Sequence, residues 1–228
     1  PRLKVVVSID GLQPEHDARR APATYPRILK HIEGVPVTVH CTVTRQQASR
    51  DGYLREFVRT WSEVPSTRQI WMSLYTPQVG EASDERLTPA LRRQVVADLL
   101  ALRVEFPKLD MPKGMIESYA QPPHSPDQCV FARTTTCLSA DLTTTVTPCQ
   151  FGGQPDCAEC GCIASAGLAA VGRHRLPGGL RVGTVFDASL WVGDRVRGWR
   201  ERSPGRLPAA AEPAARTITH ETATVAER

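Results

Sequence analysis

The sequence predicts an α/β fold in which a partial (β/α) barrel of three βα units is followed by a small cysteine-rich, loop-rich module. Three strand patterns are each followed by a helical pattern, which is the order of a parallel sheet with right-handed crossovers. Six of the seven cysteines then lie within residues 129–162. The predicted divisions are residues 1–120 for the βα units, 121–175 for the cysteine module, 176–202 for a short strand-containing extension and 203–228 for a disordered tail rich in Arg, Ala and Pro.

Composition narrows the class of protein. The 228 residues carry a net charge of +4, and arginines near the C-terminus supply much of that excess, so the charge is weak support for a nucleic-acid surface. No apolar run reaches membrane-spanning length, and no secretory signal pattern opens the chain. We therefore expect a cytoplasmic protein without nucleic-acid or membrane partners, in which reducing conditions disfavour disulfides.

The start of the chain predicts a longer polypeptide. The first residue is Pro1 rather than Met, and a strand pattern follows almost at once. Three parallel strands are too few to cover and pair a sheet, so further strands before Pro1 would complete it. The expectation is a fragment or processed product.

The first βα unit begins with the apolar run Leu3–Ile9, which predicts a strand buried on both faces of a parallel sheet. Ser8 and Asp10 lie at its carboxyl end, where α/β folds assemble their sites. They could equally be the polar end of a strand that caps the next turn. A short helix follows a polar loop, with Thr24 as its cap and Gly34 as its end.

The second and third units repeat this order. Val35–Thr44 alternates apolar with polar residues, which predicts one face toward helices and one toward a lumen. A helix from about Asp51 carries apolar residues at three- and four-residue spacing, and Gln69–Tyr75 forms the third strand. Thr88 caps the last helix of this region, and Pro107 ends it.

The cysteine cluster is the strongest chemical signal in the chain. Thiolates that converge from a turn-rich segment normally hold a metal ion or an iron–sulfur cluster. Residue types alone do not separate tetrahedral zinc from iron–sulfur, so both stay open. Cys41 lies among strand valines and is predicted to be an ordinary buried thiol. The candidate ligands are Cys129, Cys137, Cys149, Cys157, Cys160 and Cys162.

The remainder of the chain gives weaker signals. Ile163–Val171 predicts a short helix, and Leu180–Val192 contains strand-like runs broken by Gly183 and Asp187. From Ser203 onward we expect disorder.

Several polar and aromatic residues have a structural interpretation beside a functional one. His16 and Asp17 would shape the loop after the first strand. His40 either lines a lumen or forms a structural hydrogen bond. Trp71 and Tyr75 either contact a ligand or pack against their strand neighbours.

The run VVVSIDGLQPEHDARR resembles the fourth-strand segment of radical S-adenosylmethionine (radical SAM) enzymes, in which SIDG or SLDG is followed by a loop bearing HDxxR. In that family the strand serine and the loop arginine contact the amino acid end of S-adenosylmethionine. A hydroxyl and a guanidinium can jointly hold a carboxylate. The resemblance implies a partial radical-SAM-type barrel and a cofactor-binding set of Ser8, Asp10 and Arg20.

The cysteine-rich extension is similar to the C-terminal auxiliary-cluster modules, of SPASM or twitch type, that many radical SAM enzymes carry. Cys137 and Cys149 are spaced like the opening pair of such a module, and Cys157 and Cys160 like its closing pair. The CGC step and the position of Cys129 depart from the usual SPASM arrangement, so the number of clusters stays open. The resemblance implies an auxiliary 4Fe-4S cluster.

One departure concerns the family's CxxxCxxC motif, which ligates the cluster that cleaves S-adenosylmethionine and is absent from this sequence. The resemblance implies a core 4Fe-4S cluster in a part before Pro1 and an inactive segment on its own. The full-length enzyme would abstract hydrogen from a substrate, commonly a peptide where such modules occur, with electrons from a flavodoxin or ferredoxin. The alternative from another class is a non-catalytic, zinc-stabilised binding module.

Overall fold

The computed structural model describes residues 3–20, 22 and 24–202, so the predicted disordered tail lies outside the described residues. Residues 1–190 form one compact unit, and residue 191 begins a second. Strands β1 to β5 are Val5–Ser8, Val37–Val43, Thr67–Leu74, Cys137–Leu138 and Thr145–Val146. Helices α1 to α9 are Gln13–Arg19, Tyr25–His31, Arg45–Ala48, Tyr53–Glu63, Pro89–Glu105, Lys113–Ser118, Val130–Thr134, Ile163–Arg173 and Val182–Arg202. Short 3-10 turns span Pro126–Gln128 and Cys157–Glu159.

Strands β1, β2 and β3 form a parallel sheet in sequence order. Val5 of β1 pairs with Val37 of β2, and Val39 pairs with Ile70 of β3. Helices α1 and α2 connect β1 to β2, and α3 and α4 connect β2 to β3. The three βα units thus stand as an α/β layer, while closure of such a sheet into a barrel stays a prediction.

The two faces of the sheet differ as the alternation in β2 predicts. Val39, Cys41 and Val43 are at most 2% exposed and belong to the same core as residues of α4 and α5. Cys41 is therefore a buried core thiol, as predicted. The opposite face is polar, because register places Ser8 beside His40 across the first strand pair.

Strand β1 differs from the predicted strand buried on both faces. Val6 is 46% exposed and Ser8 is also exposed, whereas Val5 and Val7 are half-buried. In the described part of the chain β1 is an edge strand beside an open polar face, so its alternate side chains contact solvent. The prediction of burial on both faces is wrong for this strand.

The predicted strand-containing extension is also wrong, because residues 182–202 form the single helix α9. Gly183 and Asp187, which were expected to break strands, lie inside that helix. A Cβ at Gly183 would come within 3.0 Å of the Gly172 carbonyl oxygen, so glycine allows α9 to begin close to α8. Apolar residues follow at intervals of three, seven, four and three positions, which place them on one side of a helix: Val182, Val185, Val192, Val196 and Trp199.

Candidate functional site

The cysteine segment, by which we mean residues 129–162, is held to the carboxyl end of β3 by hydrogen bonds. Leu74 N–H donates to the carbonyl oxygen of Gly161 at 2.9 Å, and Gly161 N–H donates to Thr76 Oγ1 at 2.9 Å. A Cβ on Gly161 would lie 2.0 Å from the Leu74 carbonyl oxygen, so this approach requires glycine. Gly161 thereby places Cys160 and Cys162 beside the carboxyl edge of the sheet.

Two arginines of the βα region hold the same segment. Arg92 of α5 donates to the carbonyl oxygen of Cys160 at 3.0 Å and to that of Glu159. Arg86 binds the Glu159 carboxylate through two nitrogens, each at 2.8 Å, and reaches Asp156 Oδ2 at 3.0 Å. Burial lowers the pKa of the Arg92 guanidinium. Neither arginine belongs to a sequence motif, so these contacts could not be predicted from sequence.

Five of the six candidate ligands line one small apolar cavity, which we call the thiol cavity. They come from three parts of the chain: the residue before α7, the loop after β5 and the turn that leads into α8. Phe131, Phe151 and Pro155 contribute to the cavity wall, so the thiols face an apolar interior. The five are Cys129, Cys149, Cys157, Cys160 and Cys162.

Cys137 is placed differently from the other five. It opens β4, where it pairs with Val146 of β5, and it lies outside the lining of the thiol cavity. Cys149 is the thiol that interacts with it electrostatically. The structure thus brings five predicted ligands to one cavity and leaves the sixth at its periphery.

Four of the five cavity thiols, those of Cys149, Cys157, Cys160 and Cys162, are protonated near neutral pH, because their pKa is raised. Burial is the main cause that raises their pKa, and the neighbouring thiols add to it. Together these effects raise the pKa of Cys157 and of Cys162 to about 11. Burial also raises the pKa of Cys149 and of Cys160. A metal ion that binds here must therefore displace protons from the sulfurs.

The sulfur of Cys162 accepts N–H hydrogen bonds. Gln150 Nε2 donates to Cys162 Sγ at 3.1 Å, and Ser165 N–H donates to it at 3.5 Å from the first turn of α8. Cys162 N–H in turn donates to Cys160 Sγ at 3.5 Å. Such donors around sulfur are typical of thiolate ligands of metals.

The donor set fits a thiolate-bound metal by its chemistry. Within the described ranges no three Cys, His, Asp or Glu side chains stand close enough together to form a metal site as they are. The thiols nevertheless share an apolar cavity, and Cys162 already has N–H donors on its sulfur. The fit is one of residue type and convergence.

A second cavity, of about 420 Å³, lies between the carboxyl edge of the sheet and the cysteine segment. We call it the edge cavity. Its lining includes His40, Thr42, Ser73 and Tyr75 from the sheet side, Arg19 from α1, and Gln150, Phe151 and Cys162 from the cysteine side. Cys162 therefore belongs to the walls of both cavities.

For His40 the predicted structural hydrogen bond is present, and the predicted barrel lumen stays a prediction. His40 lines the edge cavity, and its Nε2 is hydrogen-bonded to Ser73 Oγ at 2.7 Å. Burial lowers the pKa of His40, so its imidazole is neutral near neutral pH. The side chain thus offers the cavity a fixed polar group without a charge.

The predicted cofactor-binding residues lie at the carboxyl end of β1. Ser8 is exposed, whereas Asp10 is buried and accepts a hydrogen bond from Arg20 Nε at 2.6 Å. Arg19, not Arg20, lines the edge cavity, and it pairs with Glu85. The sequence pattern missed Arg19 because the resemblance points to the next position.

His16 and Asp17 shape the loop after β1. Asp10 N–H donates to His16 Nδ1 at 3.0 Å, and the other ring nitrogen is 2.8 Å from Thr24 Oγ1. Asp17 Oδ1 accepts from the backbone N–H groups of Thr24 and Tyr25, each at 2.9 Å. Both side chains order the chain that carries Asp10 and Arg20.

No protein-family model, curated protein or solved structure matches this chain. Among its described helices, none is both long and apolar enough to cross a membrane. Function is therefore inferred from the chemistry of the two adjoining cavities.

Proposed function

We propose that this chain is part of a radical SAM enzyme and that its cysteine segment holds an auxiliary 4Fe-4S cluster at the carboxyl edge of the sheet. One observation carries the proposal: polar strand-end residues and Cys162 line the same cavity of about 420 Å³. Carboxyl ends of parallel strands are where α/β folds bind ligands. Converging cysteines are the usual ligands of an iron–sulfur cluster.

The proposed cluster ligands are drawn first from the thiol cavity. Four thiolates complete a 4Fe-4S cluster, and the cavity offers five. Cys137 stays a candidate ligand, because it is among the groups that raise the pKa of Cys149. The hydrogen bonds from Arg86 and Arg92 would hold the cysteine segment in place whichever four cysteines bind the cluster.

For S-adenosylmethionine, we assign the carboxylate to Ser8 and Arg20. Asp10 takes Arg20 Nε, so the terminal nitrogens of the guanidinium are the ones that would meet a carboxylate. Asp10 is itself held by the loop, since its N–H donates to His16 Nδ1 at 3.0 Å. Its role is therefore to orient Arg20.

The chemistry that a CxxxCxxC-bound cluster supplies, in a longer cytoplasmic protein, is reductive cleavage of S-adenosylmethionine and hydrogen abstraction from the substrate. Within this chain, the edge cavity would hold the substrate, which we propose to be a peptide. His40 and Ser73 would offer it hydrogen bonds, while Phe151 and Ile163 form an apolar part of the wall on its cysteine side. A flavodoxin or ferredoxin would supply electrons.

Anaerobic reconstitution tests the cluster. We expect about four irons and four sulfides per chain, with broad visible absorption. The double variant Cys160→Ser/Cys162→Ser leaves three thiols in the cavity and should lose most of that absorption, whereas the core variant Cys41→Ala should keep it. Stoichiometric zinc without iron or sulfide would overturn the cluster and favour the zinc-stabilised binding module instead.

Isothermal titration of S-adenosylmethionine with the full-length protein tests the cofactor site. Arg20→Ala should weaken binding by about 10- to 100-fold, because it removes a charged hydrogen bond to a carboxylate. Arg27 lies exposed on α2, so Arg27→Ala serves as the matched control. Equal affinities for wild type and Arg20→Ala would remove the role assigned to Arg20.

A further inference from the structure

Gln150 lies where the two cavities meet. Its side chain lines the edge cavity, and its Nε2 donates to Cys162 Sγ at 3.1 Å. Cys162 lines both cavities, so its sulfur is the proposed ligand that stands nearest to a bound substrate. A single side-chain hydrogen bond thus joins the edge cavity to the thiol cavity.

The donors on Cys162 are of two kinds. The Ser165 N–H group belongs to the backbone in the first turn of α8, so a side-chain substitution does not remove this donor. The Gln150 amide is carried by a side chain of the loop after β5, so substitution can remove it alone. The Gln150 contact is also shorter, at 3.1 Å against 3.5 Å.

An N–H donor draws electron density away from a metal-bound sulfur. Reduction adds negative charge to the cluster and its ligands, so the donor stabilises the reduced state more than the oxidised state. Hydrogen bonds to ligand sulfurs are for this reason among the features that set the potential of an iron–sulfur centre.

We propose that Gln150 is a positioning residue that raises the reduction potential of the auxiliary centre through its N–H···S hydrogen bond to Cys162. This inference rests on the proposed cluster and specifies one residue that tunes it. Gln150 does not ligate the metal, so its loss should change the potential and leave the metal content unaltered.

Redox titration of the reconstituted full chain, followed by visible absorption and electron paramagnetic resonance, tests this role. Gln150→Leu removes the donor at similar size and should shift the midpoint potential to a more negative value, with iron and sulfide contents equal to wild type. The matched control is Gln154→Leu, because Gln154 is exposed and bonds to Gln78 and Val79 through its backbone.

The outcomes separate this inference from the function on which it rests. Equal potentials for the three proteins, each with a full cluster, would overturn the role of Gln150 and leave the cluster standing. If Gln150→Leu loses iron, Gln150→Met keeps an unbranched side chain without N–H donors, and loss of iron there too would make the role structural. A wild-type chain that binds no iron would overturn both.

Discussion

The βα region and the cysteine segment of this protein are held by different forces. Trp61, Phe57 and Leu99 are fully buried in one continuous core between the sheet and its helices. In the cysteine segment, by contrast, Leu138 is 52% exposed and Leu142 is 76% exposed. Hydrophobic burial therefore stabilises the first region, and the second depends on a few polar contacts to the first.

Order in the thiol site comes from the βα region. The cysteine segment receives hydrogen bonds from Leu74 at the end of β3 and from Arg92 of α5. It offers in return a set of thiols whose burial raises their pKa. The scaffold thus holds the turn in position before any metal contributes, and a metal would add the largest remaining stabilisation.

The largest effect is expected in the core of the βα region. Trp61 is 0% exposed and packs edge-on against Tyr25, with ring centroids 5.5 Å apart. Trp61→Ala should lower the free energy of unfolding by about 3–5 kcal/mol, measured by urea denaturation. Trp199 is 65% exposed, so Trp199→Ala should change it by less than about 0.5 kcal/mol. Equal losses from both substitutions would contradict this view of the core.

A smaller effect is expected where the two regions meet. In Gly161→Ala the new Cβ would lie 2.0 Å from the Leu74 carbonyl oxygen, so the cysteine segment must move away from β3. We expect a loss of up to about 3 kcal/mol and faster proteolysis within the cysteine segment. Gly114→Ala is the control, because its Cβ would meet only Ala170 Cβ at 3.7 Å. Unchanged proteolysis in Gly161→Ala would mean that this contact does not fasten the segment.

Removal of the Arg92 hydrogen bonds should lower the free energy of unfolding by less than the Gly161→Ala substitution does. Arg92→Gln loses charged hydrogen bonds to the carbonyl oxygens of Tyr119 and Cys160, each now 3.0 Å long. The expected loss is about 2 kcal/mol in urea denaturation. Arg93 is exposed on the same helix, so Arg93→Gln should lie within about 0.5 kcal/mol of wild type. A loss in Arg93→Gln as large as in Arg92→Gln would point to helix propensity instead.

Sequence patterns predicted the scaffold well because its order is local. The spacing that predicts a helix around Trp61 is the spacing that buries it, and Thr88 caps α5 as predicted, with Leu91 N–H donating to Thr88 Oγ1 at 3.2 Å. The predictions were wrong where the structure depends on contacts with segments that are distant in sequence. Exposure of Val6 depends on what lies beside β1, and the close approach of Gly172 to Gly183 depends on how α8 and α9 are connected.

The candidate site was predictable only in part. Cysteines that cluster in sequence indicate a metal site by their residue type, and five of the six line one cavity in the structure. Arg19, Arg92 and Gln150 carried no such signal, because their contacts depend on how the folded chain brings separate segments together. Gln150 meets Cys162 twelve residues away only because the intervening turns fold back on themselves.

The smallest predicted effect is the pH dependence that His16 gives to the free energy of unfolding. Burial lowers the pKa of His16 in the folded state, while Asp10 and Asp17 oppose that shift and Arg20 adds to it. The unfolded state therefore binds more protons as pH falls below about 6.5, and stability should decline there with a slope of at most about 1.4 kcal/mol per pH unit from this group. Above that pH its contribution is constant.

Urea denaturation between pH 7 and pH 5 measures this slope. His16→Gln should reduce it, because the amide can keep contacts to Asp10 N–H and Thr24 Oγ1 without binding a proton. Part of the slope should remain, since burial lowers the pKa of His40 in the same direction. His31 is exposed at the end of α2, so His31→Gln should leave the slope as it is in wild type. Identical slopes for wild type and His16→Gln would show that protonation of His16 does not contribute to the pH dependence of stability. The order of the loop around Asp10 would then not depend on this group.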